Sequence, residues 1–327
     1  MSYVKFNNTE LSVSPVCLGT VNYGTLLSEQ EAKAQMSAYV ERGGNFFDTA
    51  HIYGDWGDGP KSISERIIGK WIGETGKREQ VVLATKGAHP DWGHMDKPRV
   101  NKHCIEKDVN ESLEYLNTDY IDLYFLHRDD PNTAISEIME CLDALRKAGK
   151  VRYYGCSNWT LPRIQEAQAY CAEHNLHGFV CNQLMWSLAD INFYNLEDKS
   201  FVLMDEETCA YHIKSGMNAM AYMSIAKGYF ARRAAEKLPA GVTNVYENPS
   251  NNQIFECGKM IVGEGRYSYM DLSYMYLMAE KRFPSVPIAS FDNMAQLTEC
   301  MDCFAKPIPE EVVEKLGSMK KYVYREP

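Results

Sequence analysis

The 327-residue sequence predicts an α/β fold: a single (β/α)8 TIM barrel with an N-terminal β-hairpin and a C-terminal helical extension. Two observations carry that expectation. Strand-like and helix-like segments alternate almost from end to end, and eight strand-like segments can be counted, the number a closed barrel needs. No G-x-G-x-x-G follows the first strand, as an open dinucleotide-binding sheet would require, and Gly263-Glu264-Gly265 comes too late and follows no strand.

Taken in order, residues 3–6 and 11–14 form a hairpin around the polar turn Asn7-Asn8-Thr9-Glu10. Strands follow at 15–19, 45–49, 81–86, 121–127, 151–157, 180–184, 219–224 and 286–289. Several are short runs of Val, Ile, Leu and Tyr without alternation, which suits parallel strands covered on both faces. Helical patterns lie between them. The first opens on Ser28 with Glu31 three residues later, a capping box, and stops at Gly43-Gly44. Others cover 64–72, 102–116, 135–147, 161–174, 206–214, 269–281 and 294–304. Residues 231–256, with several Asn, Pro and Gly, read as a long irregular loop over one face. The expected organisation is therefore one domain: hairpin 1–14, barrel 15–305, helix and tail 306–327.

Composition narrows the class of partner. Lys and Arg total 34 against 44 Asp and Glu, a formal charge of −10, which argues against nucleic acid or an anionic membrane as the main partner. No apolar run approaches the ~18 residues that span a bilayer, and the first ten residues lack the basic flank and apolar stretch of a signal peptide. A cytoplasmic chain is expected. The ten cysteines lie in segments that otherwise read as core, where a reduced thiol behaves as a small apolar residue. The CxxC at Cys300–Cys303 has no second ligand pair, so no metal is expected. The oligomeric state is not legible.

In a barrel the reacting groups sit at the carboxyl ends of the strands. Those ends carry Asp48, Lys86 and His127, with Tyr53 in the loop beyond Asp48. A phenol with a reference pKa of about 10 is a poor proton carrier at neutral pH. A neighbouring ammonium lowers that value, and an aspartate keeps the ammonium charged and fixed. A histidine can orient a carbonyl oxygen. Together these groups suit a proton donor for an oxygen whose carbon receives a hydride, and their placement alone leaves another barrel chemistry equally open.

The ordered segments Leu18-Gly19-Thr20, Asn45 to Gly54, Ser64-Glu65 with Gly69, Ala84-Thr85-Lys86, Asp119 to His127, Gly149 to Asn158 and Asn182-Gln183 resemble the aldo-keto reductase superfamily across nearly the whole chain. The resemblance implies Tyr53 as general acid, Lys86 and Asp48 as the pair that tunes it, and His127 as the carbonyl-orienting group. It implies Ser157, Asn158 and Gln183 for the nicotinamide carboxamide, Trp186 stacked on the ring, and Ser224 and Gly228 for the pyrophosphate. Gly19, Thr20, Asp48 and Ser290 complete the expected cofactor contacts, with Gln296 and Glu299 at adenosine positions. The implied activity is NAD(P)H-dependent interconversion of a small-molecule carbonyl and its alcohol.

One departure bears on the cofactor. No Lys or Arg follows strand eight in residues 287–299, where relatives pair a base with the 2′-phosphate, and Asp292 would repel it. NAD(H) is therefore expected to be favoured, with Arg232 or Arg233 as the bases able to rescue phosphate binding. Trp56, Trp92, Arg128 and Trp159 are the expected substrate-pocket residues, a mixture that suits a sugar or sugar derivative. Two other readings stay open: a nicotinamide-binding regulatory subunit with little turnover, and a barrel isomerase or lyase using Lys86 as a Schiff-base nucleophile.

Overall fold

The computed structural model describes residues 2–321 and 323–324; the tail expected at 306–327 lies partly outside them. The hairpin pairs β1 (Val4–Lys5) with β2 (Ser12–Val13) in antiparallel register. Eight parallel strands then close into a barrel: β3 (Cys17–Gly19), β4 (Phe46–Asp48), β5 (Val82–Gly87), β6 (Ile121–Leu126), β7 (Val151–Ser157), β8 (Cys181–Met185), β10 (Asn218–Tyr222) and β11 (Ser285–Ala289). The short β9 (Ile191–Asn192) lies outside the barrel and pairs in parallel with β12 (Val323–Tyr324). All eight expected strands are present, their ends displaced by at most two residues.

Around the barrel run α1 (Glu29–Glu41), α2 (Ile63–Thr75), α3 (Lys102–Tyr115), α4 (Ile135–Lys147), α5 (Leu161–His174) and α6 (Glu206–Ser215). The Ser28 capping box forms as expected, with Ser28 and Glu31 bonding reciprocally. The irregular loop expected at 231–256 is instead mostly helical: α7 (Tyr229–Ala234), α8 (Ala240–Tyr246) and α9 (Pro249–Gly263). Its prolines start helices rather than break them. Pro249 is the first helical residue after the Asn248 cap, where a missing N–H costs nothing. The helices α10 (Tyr269–Met278), α11 (Met294–Cys303) and α12 (Glu310–Gly317) complete the ring.

Side-chain parity places the site. In the barrel interior Cys17, Phe46, Ala84, Leu123, Phe125, Cys181, Met220 and Val286 pack together, sealed below by Phe6, Leu11 and Val13 of the hairpin. Residues two further along a strand project inward again, one layer higher. That step leads from Phe46 to Asp48, from Ala84 to Lys86, from Phe125 to His127, from Cys181 to Gln183 and from Met220 to Tyr222. The apolar layers are thus the floor on which the polar groups stand.

All ten cysteines are free, nine of them buried. Burial pushes the Cys300 thiol up to about 12 and raises Cys303 as well, so both behave as packing groups. Among the described residues no helix is long and apolar enough to cross a membrane.

Candidate active site

A cavity of about 410 Å³ opens at the carboxyl ends of the strands, and Asp48, Tyr53 and His127 line it. Lys86 lies beneath, 1% exposed, and its ammonium donates to Asp48 Oδ2 at 2.7 Å, the Thr49 carbonyl at 2.7 Å and Tyr53 Oη at 3.0 Å. An ammonium has three protons, and all three are used. Asp48 is equally committed, because its Oδ1 accepts from Gln183 Nε2 at 2.8 Å. Since Lys86 donates into the phenol oxygen, the phenol's own proton is left for the cavity.

The electrostatics settle the protonation states. Burial alone would push the Lys86 ammonium down, but Asp48 and Tyr53 outweigh it and hold it above its usual value. For Tyr53 burial dominates, and the phenol is raised despite the downward pull of Lys86. The net lowering expected from the lysine is overturned by desolvation, which leaves Tyr53 protonated at neutral pH. Burial, with His89, Lys86 and Arg128 adding to it, holds His127 well below its usual value. Its ring is neutral, lies 5.9 Å from the Tyr53 ring, and buries an Nδ1 without a partner. His89, at 4.6 Å from His127, is pushed down to about 4, chiefly by burial.

The cavity wall also brings together Gly19, Thr20, Ser157, Asn158, Gln183, Ser224 and Ser290. Gly19 is needed there, because a Cβ would meet Ser290 Oγ at 2.5 Å and Ile288 Cγ2 at 2.8 Å. Asn158 is held by Tyr222 Oη, which donates to its Oδ1 at 2.6 Å. After β10 the chain makes a tight turn in which Met223, Ala226 and Lys227 take positive φ beside Gly228. Left-handed non-glycine residues are costly and gather where geometry is functional. Lys227 lines the cavity from this turn. A nicotinamide dinucleotide fits this donor set: Ser157, Asn158 and Gln183 near the reacting groups, and Ser224, Lys227 and Ser290 further along the wall.

Several expected residues fall elsewhere. Trp186 is not at the cavity. It packs outside the barrel against Phe283 and Tyr276, with Leu184, Met204 and Cys209. Parity explains this, since Gln183 points inward and a residue three further along must point outward. Tyr222 lines the cavity, with Phe201 and Tyr274, and the same rule applied from Met220 would have found it. Trp159 is fully buried against Phe179, its indole N–H bonded to the Arg128 carbonyl at 3.1 Å. Trp56 and Trp92 pack against each other at a tilt, 5.7 Å apart, on the exposed lip beside Tyr53 and do not line the cavity. Gly228, Gln296 and Glu299 also lie outside its lining, and Gln296 accepts from the Asp292 N–H. Arg233 is engaged through Nη1 with Glu247, Tyr229 and Asn252, and neither it nor the exposed Arg232 lines the cavity.

Outside the cavity, His51, Asp108 and Glu111 bring their ligand atoms within 4.8 Å of one another. Arg99 occupies both oxygens of Asp108 and His51 bonds Glu111, so the trio is already spent on the fold.

A parallel barrel with its titratable groups gathered at the strand ends has the architecture of an enzyme. The comparisons with known proteins say which kind. The chain belongs to the Aldo/keto reductase family, whose model matches residues 15–321. It is 38% identical over 195 residues to the "Uncharacterized oxidoreductase YrpG" of Bacillus subtilis (strain 168), covering 58% of this chain and 59% of that one. It is 31% identical to the "Aldo-keto reductase YhdN" of the same organism over 72% of this chain and 66% of that one. It is 27% identical over the whole of both chains to "Protein tas" of Escherichia coli (strain K12). The chain thus spans less than two thirds of several relatives it matches, including 56% of a "Norsolorinic acid reductase B" of Dothistroma septosporum.

Proposed function

We propose that this chain is a cytoplasmic NAD(P)H-dependent oxidoreductase that interconverts a small-molecule aldehyde or ketone and its alcohol. One observation carries the reading: every proton of Lys86 is spent, one of them on Tyr53 Oη, so the phenol hydrogen is free to be given to an oxygen in the cavity. When bound, the nicotinamide supplies the hydride to the carbonyl carbon. The chain's own residues do the rest. Neutral His127 donates to the carbonyl oxygen and fixes its direction, and Tyr53 passes it a proton as negative charge develops there. Lys86 then stabilises the phenolate that forms, and Asp48, held by Gln183, keeps Lys86 in place. In the alcohol-oxidising direction the same phenolate takes the proton back.

The test is Tyr53→Phe, which removes one oxygen and leaves the ring. Carbonyl reduction falls by a factor on the order of 10²–10⁴, while NADH and NADPH affinities, read from the nicotinamide's own fluorescence, stay within about twofold. A variant that still turns over at the wild-type rate contradicts the assignment.

A further inference from the structure

Arg128 follows His127 directly and lines the same cavity, beside Phe201, Asn158 and Tyr222. Its side chain is only 12% exposed, and a guanidinium withdrawn that far from water is costly unless its donors are paired. The pairing is incomplete. Nη1 donates to the His127 carbonyl at 3.0 Å, Nη2 donates once to Asp198 at 3.2 Å, and Nε is buried with no partner. Two of five donors are therefore used. The counter-ion is also weak. Asp198 is 35% exposed, meets Arg128 through one oxygen only, and gives its other oxygen to the backbone and hydroxyl of Ser200.

The other charges around the reacting groups are matched or absent. Lys86 is locked to Asp48, and His127 and His89 are both neutral at pH 7 for the reasons given above. Lys227, the other cation of the lining, stands on the turn after β10, so among the described residues Arg128 is the lining cation beside His127 whose charge no buried partner takes up. Its packing on Phe201, 5.4 Å from the ring centroid, holds the planar fork in place without satisfying its N–H groups. A planar fork with donors to spare matches a carboxylate in both charge and geometry.

We propose that the natural substrate carries a carboxylate on the same molecule as its reacting carbonyl, as a sugar acid or other oxo acid does, and that Arg128 binds that carboxylate while His127 and Tyr53 hold the carbonyl. Asp198 then acts as a competitor for Arg128, keeping the cation in position when no anion is bound. The inference rests on the reductase reading for its carbonyl, but not for its anion.

Two aldehydes of one shape separate the two claims: 4-carboxybenzaldehyde and the neutral 4-nitrobenzaldehyde. The wild type is expected to favour the carboxylated one by about tenfold or more in kcat/KM, chiefly through KM, the factor that one charged hydrogen bond is worth. Arg128→Gln collapses that ratio toward one, Arg128→Lys restores part of it, and Asp198→Asn raises it. Calorimetric titration of 4-carboxybenzaldehyde into the oxidised-nucleotide complex gives a readout without turnover, and thermal unfolding confirms that each variant is folded. A wild type that reduces both aldehydes without preference, or a preference that survives Arg128→Gln, overturns the inference and leaves the reductase reading standing. Arg128-dependent binding of the carboxylate without reduction of either aldehyde does the reverse.

Discussion

The cluster around Lys86 works because each donor has one destination. Burying an ammonium and a carboxylate together is unfavourable unless their remaining hydrogen-bonding positions are filled, and Thr49, Tyr53 and Gln183 fill them. The same burial that raises Tyr53 fixes the direction in which it is a good acid, and the pH dependence follows. Reduction needs the protonated phenol, so its rate stays level through neutral pH and falls only above about 10, beyond the ordinary phenol value. Oxidation needs the phenolate and climbs steadily with pH up to the same limit. Lys86→Met removes the one strong downward pull on the phenol, so oxidation at pH 8 drops by at least tenfold and its alkaline limb moves further up. Steady-state rates in both directions between pH 5 and 10.5 check this; an oxidation profile flat across that range contradicts it. No limb near pH 6.5 belongs to His127, because burial holds its imidazole well below that value.

At the scale of elements, the sequence revealed most where a strand's apolar run ended in a polar group. Asp48, Lys86 and His127 were legible for that reason. Residues whose placement depends on inward and outward alternation were missed, although the signal existed: Trp186 and Tyr222 are each told apart by counting from a neighbour that must face the core. Phe201 and Asp198 had no such signal, because they lie in a connection without regular periodicity whose position is set by what it packs on. The helices α7 to α9 were hidden by composition, their Asn and Pro serving as caps and first residues. The turn from β11 into α11 carries a prediction of its own. It offers Ser290, Asp292 and Gln296 but no base, and neither Arg232 nor Arg233 lines the cavity. Lys227, which lines the cavity from the turn that carries Ser224, is expected to meet the pyrophosphate that both nucleotides share. Titration with NADH and NADPH is therefore expected to give comparable dissociation constants or tighter NADH. A hundredfold preference for NADPH sinks this part of the account.

Across the whole molecule, the barrel is closed at its lower end by the hairpin, and the helices that follow β10 are tied to the end of the chain. Lys320 is buried and donates to the carbonyls of Ser187 and Leu188 and to Asp190, whose other oxygen accepts from Ser250 and from the Lys321 N–H. This network joins the loop after β8, the start of α9 and the C-terminal segment. Lys320→Met strands a buried carboxylate and is expected to cost about 3–5 kcal/mol. Adding Asp190→Asn should recover part of that loss, as a double-mutant cycle in denaturant would register. A single-variant cost under about 0.5 kcal/mol would show that the segment is dispensable for stability.

In the proposed reaction the Asp48–Tyr53–Lys86–His127 cluster delivers a proton to a carbonyl oxygen whose carbon takes a hydride from bound nicotinamide. Deuterium is followed from NADH deuterated at both C4 positions into 4-carboxybenzaldehyde, with the wild type and Tyr53→Phe side by side. One deuterium at the carbinol carbon of the wild-type product is expected, with loss of product and retained nucleotide binding in the variant. Reduction without label at that carbon, or undiminished labelled product from Tyr53→Phe, would contradict it.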